Sequence, residues 1–193
     1  MTADSPHASI RVMTGSPTAP DIVTFWKEAG RGKWFRKDAA FDAEIRDRFL
    51  DAHFAAARGE FDDWGATAEG SLALLLLLDQ FPRNIFRGSA HAFATDPLAR
   101  SVAARAVDAG HDLEVDESLR AFFYLPFEHS EALEDQERAV VLCAPLGPDM
   151  LKWAVLHRDI IARFGRFPHR NACLGRATTP QEQAFLDEGG FAG

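Results

Sequence analysis

The stretches DQFPRNIFRG (79–88) and GRFPHRNACLGR (165–176) both carry Phe-Pro followed by Arg-Asn, with His169 inserted in the second copy. Together they concentrate Asp79, Gln80, Arg83, Asn84, Arg166, His169, Arg170, Asn171 and Arg176 in two short segments, each following an apolar run. Residues of these types suit recognition of a small anionic or polyfunctional molecule. Arginine offers a planar fork to carboxylate or phosphate, and Asn and Gln read neutral polar groups. Burying so many hydrogen-bonding side chains without partners is costly, so they must form a network, line a pocket, or do both.

The plainer reading makes both segments proline-ended helix caps locked by ion pairs. Pro82 lacks an N–H and disfavours helical geometry at the residue before it, which predicts a helix end near Phe81. Asp79 would then sit at the negative end of that helix's dipole and need a cation beside it. Arg83 is the local candidate and Arg170 the remote one, so the two segments are expected to be spatial neighbours.

The remaining chemistry rests on histidines. FYLPFEHSEALEDQE supplies Glu128, His129 and Glu131, with Ser130 as the expected N-cap of a helix beginning at Glu131. His157 shares a helix face with the apolar Trp153, Ile160, Ile161 and Phe164. If the protein is a catalyst, His129 or His157 is its general acid–base and Glu131 the orienting carboxylate. No nucleophile stands out, so enzyme and binding protein both remain open. An alternative assigns His129, His157 and His169 to a metal, yet none shows the i, i+3 or i, i+4 pairing of a ligand helix, and no metal or cofactor is expected. Phosphate loops, dinucleotide fingerprints and nucleophile elbows are missing from the sequence.

Composition narrows the partners. A net charge of −8 on 193 residues opposes a sequence-independent grip on nucleic acid. The longest apolar run, Leu72–Leu78, is too short to span a bilayer. Cys143 and Cys173 form no disulfide framework, so buried reduced thiols and a cytoplasmic location are expected. The charge is uneven: residues 128–137 carry five acids and no Lys or Arg, and residues 157–176 carry five arginines against one Asp. These segments suit either a homodimer contact or a contact within one chain.

The elements that must position these residues read as all-α, with about eight helices in antiparallel pairs and no convincing strand. Residues 1–19 read as a flexible tail and 20–193 as a single domain. Asp38 caps a helix through Arg58, and Leu-rich 66–81 is apolar on every face and therefore central. Asp96-Pro97 opens a further helix. Asp116 caps another, which Pro126 stops; Pro148–Phe164 ends at Gly165; Thr179-Pro180-Gln181-Glu182 is a capping box.

Three stretches, LLLLDQFPRNIFRGSAHAFATDPLAR, FYLPFEHSE and HRDIIARFGRFPHRNACLGRATTPQE, resemble a bacterial family catalogued as domain of unknown function 924. The resemblance runs over almost the whole chain from Pro20 onward. It implies a compact all-α fold similar to tetratricopeptide-like helical arrays, and it implies no established activity. No tetratricopeptide repeat of about 34 residues is visible in the chain itself. The competing functional reading is accordingly a protein-interaction module whose polar loops are structural.

Overall fold

The computed structural model describes residues 15–192, and every structural statement below concerns these residues. Most of the expected tail lies outside them. They fold as a helical array without a strand. The first helix, Ala19–Ala29, starts at a Thr18 capping box, and Ala39–Ala57 starts where the Asp38 carboxylate accepts from the Ala40 and Phe41 amides. Phe41, Ile45 and Phe49 form the buried stripe of the second helix, whereas Phe54 turns outward at 37% exposure.

The leucine segment is the centre. Leu72, Leu75, Leu76 and Leu77 are each 0–1% exposed. Helices Ala19–Ala29 and Asp96–Asp108 pack on its first half, Ala68–Leu75, and Ala39–Ala57 packs antiparallel on its second half. The aromatic side chains Phe25, Trp26, Phe49 and Phe81 fill the space between them.

The expected helix end at Phe81 is not what forms. The chain passes from Ala68–Leu75 through a π-turn, Leu76–Gln80, into Phe81–Ile85, with Pro82 inside. In the π-turn the Phe81 amide reaches back five residues to the Leu76 carbonyl. Pro82 can offer no N–H to the carbonyls four and five residues before it, and both are taken from outside the helix. His53 Nδ1 donates to the Leu77 carbonyl at 2.8 Å, and Thr95 Oγ1 donates to that of Leu78 at 2.6 Å. With its backbone acceptors satisfied, the segment tolerates the proline and runs on.

Proline misled the sequence reading a second time. Pro126 does not stop a helix but lies in the first turn of a short one, Leu125–Glu128, which follows Glu117–Arg120 and the turn Ala121–Phe123. The next helix is Leu133–Cys143 and not one from Glu131, because Ala132 holds the cap position. Ser130 Oγ is drawn to Asp135 at 2.6 Å and also takes donors from Arg100 and the Ala132 amide. Helix Pro148–Phe164 packs against Leu133–Cys143 and ends at Gly165 in the left-handed conformation, as expected. The Thr179 capping box opens Pro180–Asp187.

Beneath this last helix, Ile160, Ile161 and Phe167 form a separate small core covered by Phe185 and Phe191. Cys143 is fully buried, but Cys173 is only half-buried, so the expectation of two buried thiols holds for one.

One glycine is fixed by packing. A Cβ on Gly70, in the first turn of Ala68–Leu75, would stand 2.1 Å from the Trp64 carbonyl oxygen. Gly70→Ala improves helix propensity yet forces backbone against backbone, so it is expected to destabilise by about 1–3 kcal/mol. A urea melt showing Gly70→Ala as stable as the parent would refute this.

Candidate functional site

Asp79 lies in the π-turn with 1% of its surface exposed. Its Oδ1 is 2.8 Å from His129 Nδ1 and 3.2 Å from Arg83 Nη1, and its Oδ2 accepts from Gln80 Nε2 at 2.5 Å. Arg83 forks onto Asp96 with two contacts of 3.0 Å and also donates to the Asp79 carbonyl. Arg170, from the second Phe-Pro segment, approaches Asp96 Oδ2 at 3.6 Å and donates to the His129 carbonyl at 3.0 Å. The two segments are therefore neighbours, joined through Asp96 and His129.

Electrostatics fix the protonation states. Burial opposes charge on Asp79, but Arg83, then His129 and Gln80, overcome it and hold the pKa down at about 2. Burial, then the charge of Arg83, lowers His129, so its imidazole is neutral at pH 7 with the Nδ1 proton directed to Asp79. His129 Nε2 makes no hydrogen bond among the described residues, and the side chain keeps 14% exposure. A fixed tautomer with a free Nε2 is competent to take or give a proton.

A second acid–imidazole contact lies next in sequence. Glu128 Oε1 is 3.2 Å from His157 Nδ1, which also meets the Trp153 carbonyl at 2.9 Å. Burial, then the Asp79 charge, pushes Glu128 up to about 8, and burial pushes His157 down to about 4. Both are neutral at pH 7, so this contact is not an ion pair. His157 and His169 each lie against the rings of Phe167 and Phe191. Burial, then Arg170, lowers His169 to about 3. Three buried polar atoms here, Glu128 Oε2, His169 Nδ1 and Arg170 Nε, have no hydrogen-bond partner among the described residues.

Other candidates fall elsewhere. Glu131 does not orient a histidine; it takes a fork from Arg176 at 2.6 and 3.0 Å and the Phe167 amide at 2.8 Å. Arg166 forks onto Glu182, and Asn171 lies between Glu182 and Arg176. Asn84 donates to Asp42, as does Arg87. The side chains of Arg166, Arg176, Asn84 and Asn171 thus make hydrogen bonds that staple segments of the chain together. The acidic and basic segments thus meet within one chain, through Glu131 and Arg176. Trp153 is 46% exposed, so the expected apolar face around His157 is incomplete.

Sequence reasoning named Glu128 without giving it a role, and it read Asp96 only as a helix start. Neither Phe93 nor Phe167 was singled out, although both rings hold Arg170. Among the described residues no group of three or more His, Cys, Asp and Glu is placed to hold a metal ion. No helix of the described residues is long and apolar enough to cross a membrane.

A groove of about 300 Å³ lies among Arg31, Glu117, Ser118, Ala121, Leu146 and Met150. None of the histidine or Phe-Pro residues lines it, so this groove and the chemistry do not coincide. We locate the site by its chemistry, because buried carboxylate–imidazole contacts with unpartnered polar atoms around them need an explanation that a surface groove does not.

A pH profile follows from these groups. His157 and His169 have folded pKa values below their ordinary 6.5, so the folded state binds fewer protons and their stabilisation is lost as pH falls from about 6.5 towards 4. His129 and His53 act in the same direction. Glu128 is raised from 4.5 to about 8, so its contribution is lost as pH rises through that range. Thermal stability is expected to peak near pH ~6.5, and Glu128→Gln should remove the decline between about 6.5 and 8 while leaving the acid limb. A flat profile from pH ~5 to ~8 in the parent would contradict these assignments.

The fold and site define a class: an all-helical array that buries an aspartate–histidine pair beside an arginine held over two phenyl rings. The chain belongs to the family described as bacterial protein of unknown function (DUF924), whose model matches residues 22–190. It is similar to a solved structure of a protein of unknown function from Agrobacterium tumefaciens, with 62% identity and a TM-score of 0.86 over 88% of this chain and 97% of that one. No curated protein matches it.

Proposed function

We propose that this protein binds a small anionic or polyfunctional metabolite and carries out acid–base chemistry on it at His129. The observation that supports this reading is the Asp79–His129 hydrogen bond of 2.8 Å, in which a carboxylate buried to 1% exposure fixes one tautomer and leaves Nε2 free. A purely structural histidine needs no such partner on the neighbouring helix. Glu128, uncharged at pH 7 and beside His157, is the second proton carrier of the same site. Arg83 has its terminal nitrogens committed to Asp79 and Asp96, so its role is to hold the two carboxylates. Arg170 is the residue with donors to spare.

The test is proton exchange. A panel of small hydroxy, keto and amino carboxylic acids is incubated with the protein in deuterated water, and isotope incorporation is read by mass spectrometry. Incorporation into one member is expected to fall about 10²–10⁴-fold in His129→Gln. Asp79→Asn should also lower it, since the amide no longer selects the imidazole tautomer. Undiminished exchange in His129→Gln would remove this residue from the chemistry.

A further inference from the structure

The guanidinium of Arg170 is 7% exposed and lies over the rings of Phe93 and Phe167, 4.6 and 4.4 Å from their centroids. Both rings crowd the guanidinium, so its remaining partners are set by which of its nitrogens are already paired. Nη1 is committed to the His129 carbonyl. Nε is buried and has no partner, and no hydrogen bond is made by Nη2 among the described residues. The Nε/Nη2 edge is therefore the unpaired one. Elsewhere the chain uses that same edge twice to hold a carboxylate: Arg87 onto Asp42 at 2.9 and 2.9 Å, and Arg166 onto Glu182 at 2.6 and 2.8 Å.

We infer that the Nε/Nη2 edge of Arg170 is the carboxylate-recognition element of the site, taking one planar carboxylate of a small metabolite in a two-point fork. The inference deepens the acid–base reading and rests on it for the position of the reacting group near His129. The fork suits a two-oxygen edge of either carboxylate or phosphate, and charge selects between them. Arg83 and Arg170 already face Asp79 and Asp96, so the surroundings offer no second positive charge for a dianion. The shortage of counter-charge is also visible in Arg170 itself, which burial and then Arg83 lower to about 10; one added carboxylate relieves it. Arg166 and Arg176, whose forks are filled, take no part.

The experiment compares acetate, propionate, phosphate and chloride at constant ionic strength, by thermal shift on the full chain. Acetate or propionate is expected to give a saturable rise in Tm, about 5–10 °C at a hundredfold excess over Kd. Chloride should give none. Arg170→Lys keeps the charge and removes the fork, and should weaken acetate at least tenfold. In parallel, the Arg170 Nε–H resonance of the parent protein should shift saturably with acetate, a readout that stands even if Arg170→Lys folds poorly. A saturable rise with phosphate as large as with acetate would overturn the carboxylate assignment. An Arg170 resonance indifferent to both carboxylates, or full acetate affinity in Arg170→Lys, would overturn the role of Arg170. His129→Gln separates the two proposals. Acetate binding retained there while isotope exchange is undiminished would sink only the acid–base reading; binding absent in the parent while exchange depends on His129 would sink only this one.

Discussion

Replacing Asp79 by alanine is expected to cost about 3–5 kcal/mol of folding stability, the magnitude seen when one partner of a buried charge network is removed. The carboxylate serves Arg83, His129 and Gln80 together. Without it, Arg83 and Arg170 both depend on Asp96, and the His129 Nδ1–H and the Gln80 amide lose their acceptor at a buried position. Asp79→Asn keeps the shape and one acceptor, so it should fall between the parent and Asp79→Ala. Urea denaturation of the three proteins measures the ladder. A loss below about 1 kcal/mol for Asp79→Ala would mean that the network is no stronger than a surface ion pair.

Leu76→Ala is expected to cost about 2–5 kcal/mol for a different reason. Leu76 has no exposed surface and is surrounded on all sides, so truncation leaves a cavity that neighbouring helices cannot close without moving. The two losses should differ in salt dependence: the leucine deficit is indifferent to ionic strength, while partial screening of Arg83, Arg170 and Asp96 at their exposed margin tempers that of Asp79→Ala. Stability of Leu76→Ala within about 1 kcal/mol of the parent would contradict the central placement of this helix.

Local signals were legible in the sequence; of the long-range pairings, the approach of the two Phe-Pro segments was legible and the individual partners were not. The Asp38 cap, the Thr179 capping box and the span Pro148–Phe164 formed where their residues said, because each depends on atoms within a few positions. Pro82 and Pro126 misled for the converse reason. A proline forbids its own N–H contact but does not specify who satisfies the carbonyls it abandons, and here His53 comes from another helix and Thr95 from the turn that precedes Asp96–Asp108. Site chemistry followed the same division. His129 was visible as a candidate, yet its carboxylate was sought two residues away in Glu131 and lies 50 residues away in Asp79. Arg166 and Arg170 look equivalent in sequence; only tertiary contacts separate a filled fork from an open one.

The π-turn at Leu76–Gln80 makes the length of the leucine run matter independently of its composition. A π-turn holds one residue more than an α-helical ladder would, so deleting a single leucine there would leave a helix that is locally more regular. Each residue advances an α-helix by about 100°; the wide turn takes up that extra residue locally, whereas one further inserted leucine would rotate everything beyond it by about that angle. Arg83 would swing away from Asp96, and Asn84 and Arg87 away from Asp42. Exchanging one leucine for another large aliphatic side chain preserves the count and should be tolerated. Adding one loses the alignment between neighbouring helices, so the phase of the chain is set by the count of residues and not by any one side chain.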